Sequence, residues 1–515
     1  MNTLIKHPIL SNFIICLLLF LTAGICFNDL YLNDKEASFI IITTILSLIH
    51  GKPLDRIASI IFSLLILLIY LAFIRMNFFL FIGEIFATSF LFYKNRNNKY
   101  NATIFILISS FLLHLFYIQQ TDINIRQHDL NGIILYINLI SKSIKEFNPW
   151  YMYYLFHQPL HFIISGLVLR FETFLSTPDH IALDGLQFVS LFYVSSSIIY
   201  FSYILRELKI KGLAFYALLL LFAYNPTLTL FSGYISDDTP VFFWSTFVIY
   251  YVIRWYKTNK LKYLCYTALG IGLGTLTKIS ILMLVPAISF LFLCKLLSSA
   301  NKKQCLFQLS VFIIIAVPLS LLWIIRNHIM FDMQFFNVPD TSPAGQSFRD
   351  FSLSERLFNF SNLFSVFISA PTVVDHNIFL SLIKTELFGE WDLSSTTSII
   401  HTPAMLLYVL NISLKLLVLI SCACILYSNV IRSKFDVFYL FFALFYLTIF
   451  IYSIKYSIDF PYVCSSDFRL FAQINVAELL LLGYLCKHFK TNKPLFLGAI
   501  CYALSSFFIY TAISL

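Results

Sequence analysis

The residues of this sequence that could do chemistry lie in short polar stretches between long apolar runs. The first stretch, Arg-Gln-His-Asp at residues 126–129, follows an apolar run over 102–118. A carboxylate at the mouth of a helix, such as Asp129, could act as a general base, and the same residue type also caps helices. The second stretch, Phe-His-Gln-Pro-Leu-His at 156–161, holds two histidines, and His157 could contact a phosphate or a metal.

Two further stretches hold a pair of carboxylates and an isolated lysine. Asp237 and Asp238 precede Pro240, so they could hold an acceptor or a cation, or could simply favour the start of a helix. Lys278 separates two apolar runs with almost no loop between them. Because a lysine at the centre of a bilayer costs about 2.5–3.5 kcal/mol, a lysine at its edge either snorkels or serves a function. A cation at this depth suits an anionic lipid ligand.

The last stretch is Asp-Phe-Arg at 467–469, before the apolar run 471–487. The guanidinium of Arg469 suits bidentate contact with a phosphate, and an arginine in this place could also be an interfacial anchor. The ten cysteines are scattered and form no metal-binding or disulfide pattern. The sequence therefore predicts no metal site and no cofactor, while it leaves a divalent metal open.

The elements that must position these residues are bilayer-spanning helices. The chain is 59% hydrophobic and 12% charged, with a mean hydropathy of +0.82, which is far too apolar for a water-soluble protein. We expect an all-α polytopic bundle of about 13–15 transmembrane helices, because a span needs roughly 20 apolar residues. The candidate runs are 11–27, 37–50, 58–74, 77–93, 102–118, 186–205, 212–232, 240–256, 263–277, 279–297, 309–325, 404–427, 436–455, 471–487 and 494–513. Gly272 and Gly274 should allow close helix packing.

Basic residues set the orientation of this bundle. With the N-terminus in the cytoplasm, more than half of the 35 lysines and arginines fall in short cytoplasmic loops, as the positive-inside rule requires. Two long segments, about 119–185 and 326–403, then face outward and carry most of the acidic residues. Within the first, 133–147 and 159–171 are predicted to be helices that lie in the membrane interface. The polar chemistry is therefore on the outer face, away from ATP and nucleotide sugars.

The chain divides into a predicted four-helix membrane extension over residues 1–95 and a core over 96–515. The first apolar run has no small-residue cleavage site after it, so we expect a retained helix rather than a signal peptide. The net charge of +9 lies mostly in short loops, where it faces anionic membrane lipid and not nucleic acid. The abundance of Ile, Phe, Asn and Lys indicates an AT-rich, bacterial genome.

Taken in order, the polar stretches resemble the GT-C glycosyltransferases, and within them the branch of protein O-mannosyltransferases and lipid A aminoarabinose transferases. In that branch an acidic residue follows the first core helix, then come an aromatic-His/Lys-Pro-Pro-Leu-like stretch, an outer turn with an Asp, and Gly-Leu-x-x-x-x-Lys. The matching stretches here are His128-Asp129, Phe156-His157-Gln158-Pro159-Leu160, Tyr234-Ile-Ser-Asp237-Asp238 and Gly272 to Lys278, followed by Phe388-Gly389-Glu390 and Phe468-Arg469-Leu470.

The resemblance covers about residues 100–490 and includes three departures. Ile133 stands where relatives often have His, Gln158-Pro159 replaces a Pro-Pro pair, and Leu470 follows Arg469 where Tyr is usual.

The resemblance implies an inverting enzyme that moves a sugar from a polyprenyl-phosphate carrier to an acceptor on the periplasmic face of a bacterial inner membrane. The implied roles are Asp129 as general base, Lys278, Arg469 and His157 as donor-phosphate contacts, and Asp237 and Asp238 as an acceptor or second acidic site. No nucleotide is implied, in keeping with the lack of a P-loop. The sugar stays open, and so does the acceptor, which could be protein, lipid A, a glycan or another lipid.

Other classes of protein share parts of this pattern. A flippase or transporter of lipid-linked sugars would line the bundle with charges at the midplane, often at broken helices. An O-antigen polymerase or ligase would place arginine-rich chemistry in one late outer loop, and a scaffold would need no chemistry. The gathering of charges at one face, beginning with the early Asp129 stretch, favours an enzyme.

The orientation predicts that residues 119–185 lie outside the cytoplasm. A cysteine placed at Asn148 should react with an impermeant thiol reagent in intact cells, or after permeabilisation of an outer membrane, above the labelling of the parent chain. Labelling that needs full lysis would reverse the predicted topology.

Overall fold

The computed structural model describes most of the chain beyond residue 100. The described residues are 101–142, 148, 150, 155–174, 183, 185–335, 347–367, 375–391, 393, 398–430, 436–489 and 492–514. The predicted four-helix extension over 1–95, with its apolar runs, lies outside the described residues, as do parts of both outer segments.

Helices make up most of the described chain. The first eight are α1 (Asn101–Gln120), α2 (Leu130–Lys142), α3 (Leu160–Phe174), α4 (Gln187–Glu207), α5 (Gly212–Ala223), α6 (Pro226–Gly233), α7 (Pro240–Thr258) and α8 (Leu261–Thr277). The others are α9 (Val285–Ser298), α10 (Lys302–Phe331), α11 (Leu353–Phe358), α12 (Ile378–Phe388), α13 (His401–Val430), α14 (Val437–Asp459), α15 (Ile474–His488) and α16 (Asn492–Ala512). Among the described residues there is no β-sheet, only an isolated bridge between Ser347 and Tyr462.

Seven helices of the described part are long and apolar enough to cross a membrane, and the bent pair α5–α6 could make an eighth. The pair bends by 40° because Pro226 has no N–H to donate, while the Asn225 side chain caps α6 by accepting from the Thr227 N–H at 2.9 Å. The predicted all-α, multi-pass membrane fold is confirmed. The total of about 13–15 spans stays a prediction, because four of the runs lie outside the described residues.

The two helices predicted for the first outer segment are present as α2 and α3. The buried residues of α2 are Ile133, Tyr136, Ile137 and Ile140, which follow the helical period, and this face packs on α3. Their position in the membrane interface stays a prediction.

Close helix approach at the two predicted glycines fixes α8 within the bundle. A Cβ at Gly272 would lie 2.5 Å from the Leu319 Cβ of α10, and a Cβ at Gly274 would lie 3.0 Å from the Trp244 Cβ of α7. Both distances are at or below the contact limit of carbon atoms, so a larger residue would push the helices apart. The close packing expected from the sequence is confirmed, and it places the end of α8 beside α7.

A buried ion network fastens α12, which belongs to the second outer segment, to the spanning helices. Lys415 of α13 lies 2.7 Å from a Glu386 carboxylate oxygen and 2.5 Å from a Glu478 carboxylate oxygen. The amides of Asn411 and Asn475 donate to Glu386 at 2.9 and 2.8 Å. Because Glu386 is 1% exposed and its donors lie on α13 and α15, α12 is held in one position on the bundle.

We expect Lys415→Met to destabilise the protein by about 3–5 kcal/mol, because it leaves the buried carboxylates of Glu386 and Glu478 without their shared cation. Lys455→Met is the matched control: Lys455 pairs with Asp459 on the surface of α14, and its side chain is 67% exposed, so its loss should matter little. The measurement is the free energy of unfolding in detergent. Equal stability of the two variants would contradict a structural role for the network.

Candidate functional site

The site is built around the turn between α6 and α7, where Asp237 and Asp238 are both buried. The Lys278 ammonium contacts Asp238 directly and lies 3.6 Å from an Asp237 oxygen. Arg469 reaches the other Asp238 oxygen at 3.4 Å, and the His157 Nδ1 lies 2.9 Å from Asp237. The structure therefore brings the three predicted phosphate contacts and the two predicted acids into one network.

Lys278 owes its position to a break between two helices. α8 ends at Thr277, Lys278 is extended (φ −154°, ψ 132°), and a 3₁₀ turn over Ile279–Leu284 leads into α9. The side-chain amide of Gln473, the residue directly before α15, donates to the Ser280 carbonyl at 2.8 Å and so holds the turn. An extended residue between two helices directs its side chain away from both helix axes, which lets Lys278 reach the acids.

Arg469 is positioned by a short 3₁₀ turn over Phe468–Phe471 that precedes α15. Asp467 caps this turn by accepting from the Arg469 N–H at 3.0 Å, and its other oxygen accepts from the Arg469 Nε at 3.0 Å. The Phe468 N–H donates to the Thr385 hydroxyl of α12 at 2.8 Å. The predicted apolar run 471–487 thus begins with a capped turn, and the α-helix starts at Ile474.

Opposite charges offset the effect of burial on the pKa of Asp237 and on the pKa of Lys278. Burial alone would raise the pKa of Asp237, but Lys278 and His157 more than offset it and hold that pKa below its usual range. Burial alone would lower the pKa of Lys278, but Asp237 and Asp238 reverse the effect and raise it. His161 is fully buried, and burial lowers its pKa to about 4, so this second histidine is neutral at pH 7.

A second group of polar side chains joins the network through Asp467. The His128 Nδ1 lies 3.3 Å from a Glu390 oxygen, and its Nε2 lies 3.9 Å from an Asp467 oxygen. The imidazole packs between Tyr234 and Trp391, with ring centroids at 5.4 and 5.1 Å. One histidine and two carboxyl groups are residue types that bind metals, and one ligand atom of each lies within 4.8 Å of the others. The group could therefore hold a metal ion.

Two local features position this group. The Gln127 amide donates to the Gly233 carbonyl at 2.6 Å and its oxygen accepts from the Ile235 N–H at 3.1 Å, which docks the first outer stretch onto the α6–α7 turn. Glu390 follows Gly389, whose φ of +64° suits glycine, and a Cβ there would lie 2.8 Å from the Trp391 ring.

The surroundings shift the pKa of Glu390 and the pKa of Asp467 in opposite directions. Burial would raise the pKa of Glu390, but His128 and Arg469 more than offset it and hold the pKa below its usual range. Burial and the adjacent Glu390 raise the pKa of Asp467 well above its usual range.

Asp129, the predicted general base, differs from its neighbour His128 in burial. Asp129 is exposed, its backbone is left-handed (φ +53°), and its carbonyl accepts from the Ile133 N–H in the first turn of α2. His128, one residue earlier, is the buried member of the pair. The structure thus places Asp129 at the rim of the site and His128 among the acids.

Sequence reasoning did not find the group of His128, Glu390 and Asp467, and it expected no metal-ligating cluster. The three residues lie far apart in the chain, so no spacing could indicate them. The only sequence signal was that each belongs to one of the polar stretches assigned to the outer face.

One family model, described as dolichyl-phosphate-mannose-protein mannosyltransferase, matches residues 182–323. That segment contains Asp237, Asp238 and Lys278, whereas His128, Glu390 and Arg469 lie outside it. No curated protein sequence matches the chain. The match confirms the predicted resemblance: this is an integral, multi-pass membrane protein that resembles the GT-C glycosyltransferases. Within them, it resembles the protein O-mannosyltransferases.

Proposed function

We propose that this chain is an inverting glycosyltransferase that moves a sugar from a polyprenyl-phosphate carrier to an acceptor on the periplasmic face of a bacterial inner membrane. The observation that carries the proposal is the convergence of Lys278 and Arg469 on one buried carboxylate, Asp238. Two fixed cations that meet at the end of a helical bundle suit a lipid phosphate, and the family match of residues 182–323 supports transfer of a sugar.

The donor phosphate would share the two cations that now contact Asp238. As the bond between the anomeric carbon and the phosphate oxygen breaks, negative charge grows on the leaving lipid phosphate. Fixed cations in a water-poor site stabilise such charge without reorganising, which is the largest contribution that many enzymes make to the rate. Lys278 and Arg469 therefore act on the leaving group, and His157, held by Asp237 and by the Tyr136 hydroxyl at its carbonyl, lies beside them.

Asp129 at the rim would accept the proton of the acceptor hydroxyl, whose oxygen attacks the anomeric carbon from the side opposite the phosphate. One displacement of this kind inverts the sugar. An exposed carboxylate suits this role because the acceptor must reach it from outside, while the donor lies in the membrane.

The competing classes fit the geometry less well. A flippase needs charges along a path through the bundle. Inside the described bundle, the buried charged side chains of Glu386, Lys415 and Glu478 form ion pairs with one another. An O-antigen ligase would rely on arginines of one late loop, whereas this site takes its charges from stretches across the whole described chain.

We expect Lys278→Ala to weaken binding of a polyprenyl-phosphate sugar by about 10–100-fold, since a charge-assisted hydrogen bond contributes about 1.5–3 kcal/mol. Lys278→Arg, which retains the cation, should bind better than Lys278→Ala and separates loss of charge from misfolding. Lys455→Ala is the matched control on the surface. Donor affinity equal to that of the parent in a folded Lys278→Ala protein would remove the phosphate role.

We expect Asp129→Asn to insert and fold normally and to lower transfer by roughly 10²–10⁴-fold, because it removes the base while keeping its size. Asp122→Asn changes another exposed acid of the same segment and should transfer as the parent does. Asp237→Asn and Asp238→Asn should lower transfer less or change acceptor affinity.

The comparison among these variants assigns the base. Full transfer by Asp129→Asn with loss in the Asp237 variant would move the base to the α6–α7 turn. Full transfer by all three variants would leave the flippase class ahead.

A further inference from the structure

The site holds more carboxyl groups than permanent cations. The carboxyl groups of Asp237, Asp238, Glu390 and Asp467 face two permanently charged side chains, Lys278 and Arg469, and the two histidines His157 and His128. Because a buried charge without a counter-ion costs several kcal/mol, a site that must admit an anion needs further positive charge.

Two of these carboxyl groups, those of Glu390 and Asp467, lie at one end of the network, beside His128. Arg469 contacts Asp467 and Asp238, and no Arg or Lys ion pair is found for Glu390 in the described ranges. The Glu390 Oε1 is enclosed and has no hydrogen-bond partner within the described part of the chain.

We propose that His128, Glu390 and Asp467 bind one divalent metal ion. Metal–ligand bonds of about 2.0–2.4 Å require the ligand atoms of one ion to lie within about 5 Å of one another. The three atoms here lie within 4.8 Å. A divalent ion would pair with both carboxyl groups, and it would give the Glu390 Oε1 a partner.

The ligand set indicates which ions suit the site. Two carboxylates and one imidazole form a set of hard oxygens with a single nitrogen, which suits Mn²⁺ or Mg²⁺, and also Zn²⁺ with an open position. The surrounding contacts fix the ligands: the imidazole is packed between Tyr234 and Trp391, and Asp467 is held by the Arg469 backbone and side chain. Supporting contacts of this kind set the orientation of metal ligands.

The role of the ion rests on the proposed function. Asp467, one of its ligands, also accepts from the Arg469 Nε, so the ion would add positive charge beside Arg469. The donor phosphate would then meet a less negative site. The residues of this chain then bind and orient the donor, while the ion supplies charge.

The test is a Mn²⁺ titration of the untagged, full-length protein in detergent, with free and bound Mn²⁺ distinguished by electron paramagnetic resonance. We expect one bound ion per chain in the parent. His128→Ala and Glu390→Gln should weaken binding by at least the roughly 10–100-fold that loss of a supporting contact to a metal ligand costs. His376→Ala and Glu355→Gln, changes of the same residue types elsewhere in the outer segment, should bind as the parent does.

A parent that binds no Mn²⁺ and no competing Mg²⁺ or Zn²⁺ would overturn the site, whether or not it transfers sugar. Binding that survives both ligand variants would overturn it as well, because the ion would lie elsewhere. A parent that binds one ion through these residues and transfers no sugar after the ion is added would support the site and remove the proposed function. The two proposals can therefore fail separately.

Discussion

The carboxylate of Asp238, shared by Lys278 and Arg469, is the interaction around which the site is arranged. A charge buried at the edge of a membrane is tolerated only with its partners in place. Three irregular backbone segments supply Asp238 and its partners: the turn after α6 holds Asp238, the extended residue after α8 is Lys278, and the 3₁₀ turn before α15 holds Arg469. If any one of them were a regular helix, a charge would lose its counter-ion, so the breaks between helices are part of the chemistry.

The second outer segment is coupled to the membrane part by charge as well as by packing. Glu386 lies in the last turn of α12, where Lys415, Asn411 and Asn475 of α13 and α15 hold it. Lys384, also in α12, pairs with Asp375 at 2.5 Å, and both are buried. α12, which ends two residues before Glu390, is therefore fastened to the bundle.

The helices were predictable because hydropathy reports directly on the membrane. Each apolar run of the described part is helical, although 212–232 is divided into α5 and α6, and the polar stretches holding Lys278, Arg469 and His157 meet. Which charged residues contact one another was not predictable. His128 is buried and Asp129 is exposed because Asp129, directly before α2, has a left-handed backbone. A start of α2 one residue away would exchange the two side chains. The contacts of Glu390 with His128, and of Lys415 with Glu386, join residues far apart in the chain, which no local spacing encodes.

The segment that matches the family model ends short of two residues that contact it, Gln127 and Arg469. Residues 182–323 carry Asp238 and Lys278, but the second cation of Asp238 comes from the stretch before α15, and Gln127, which docks on the α6–α7 turn, comes from before α2. The segment is thus not an independent module. A chimera that received it from a relative would inherit Asp238 and Lys278 but neither Arg469 nor Gln127, and it would work only if the recipient supplied matching residues at 127 and 469.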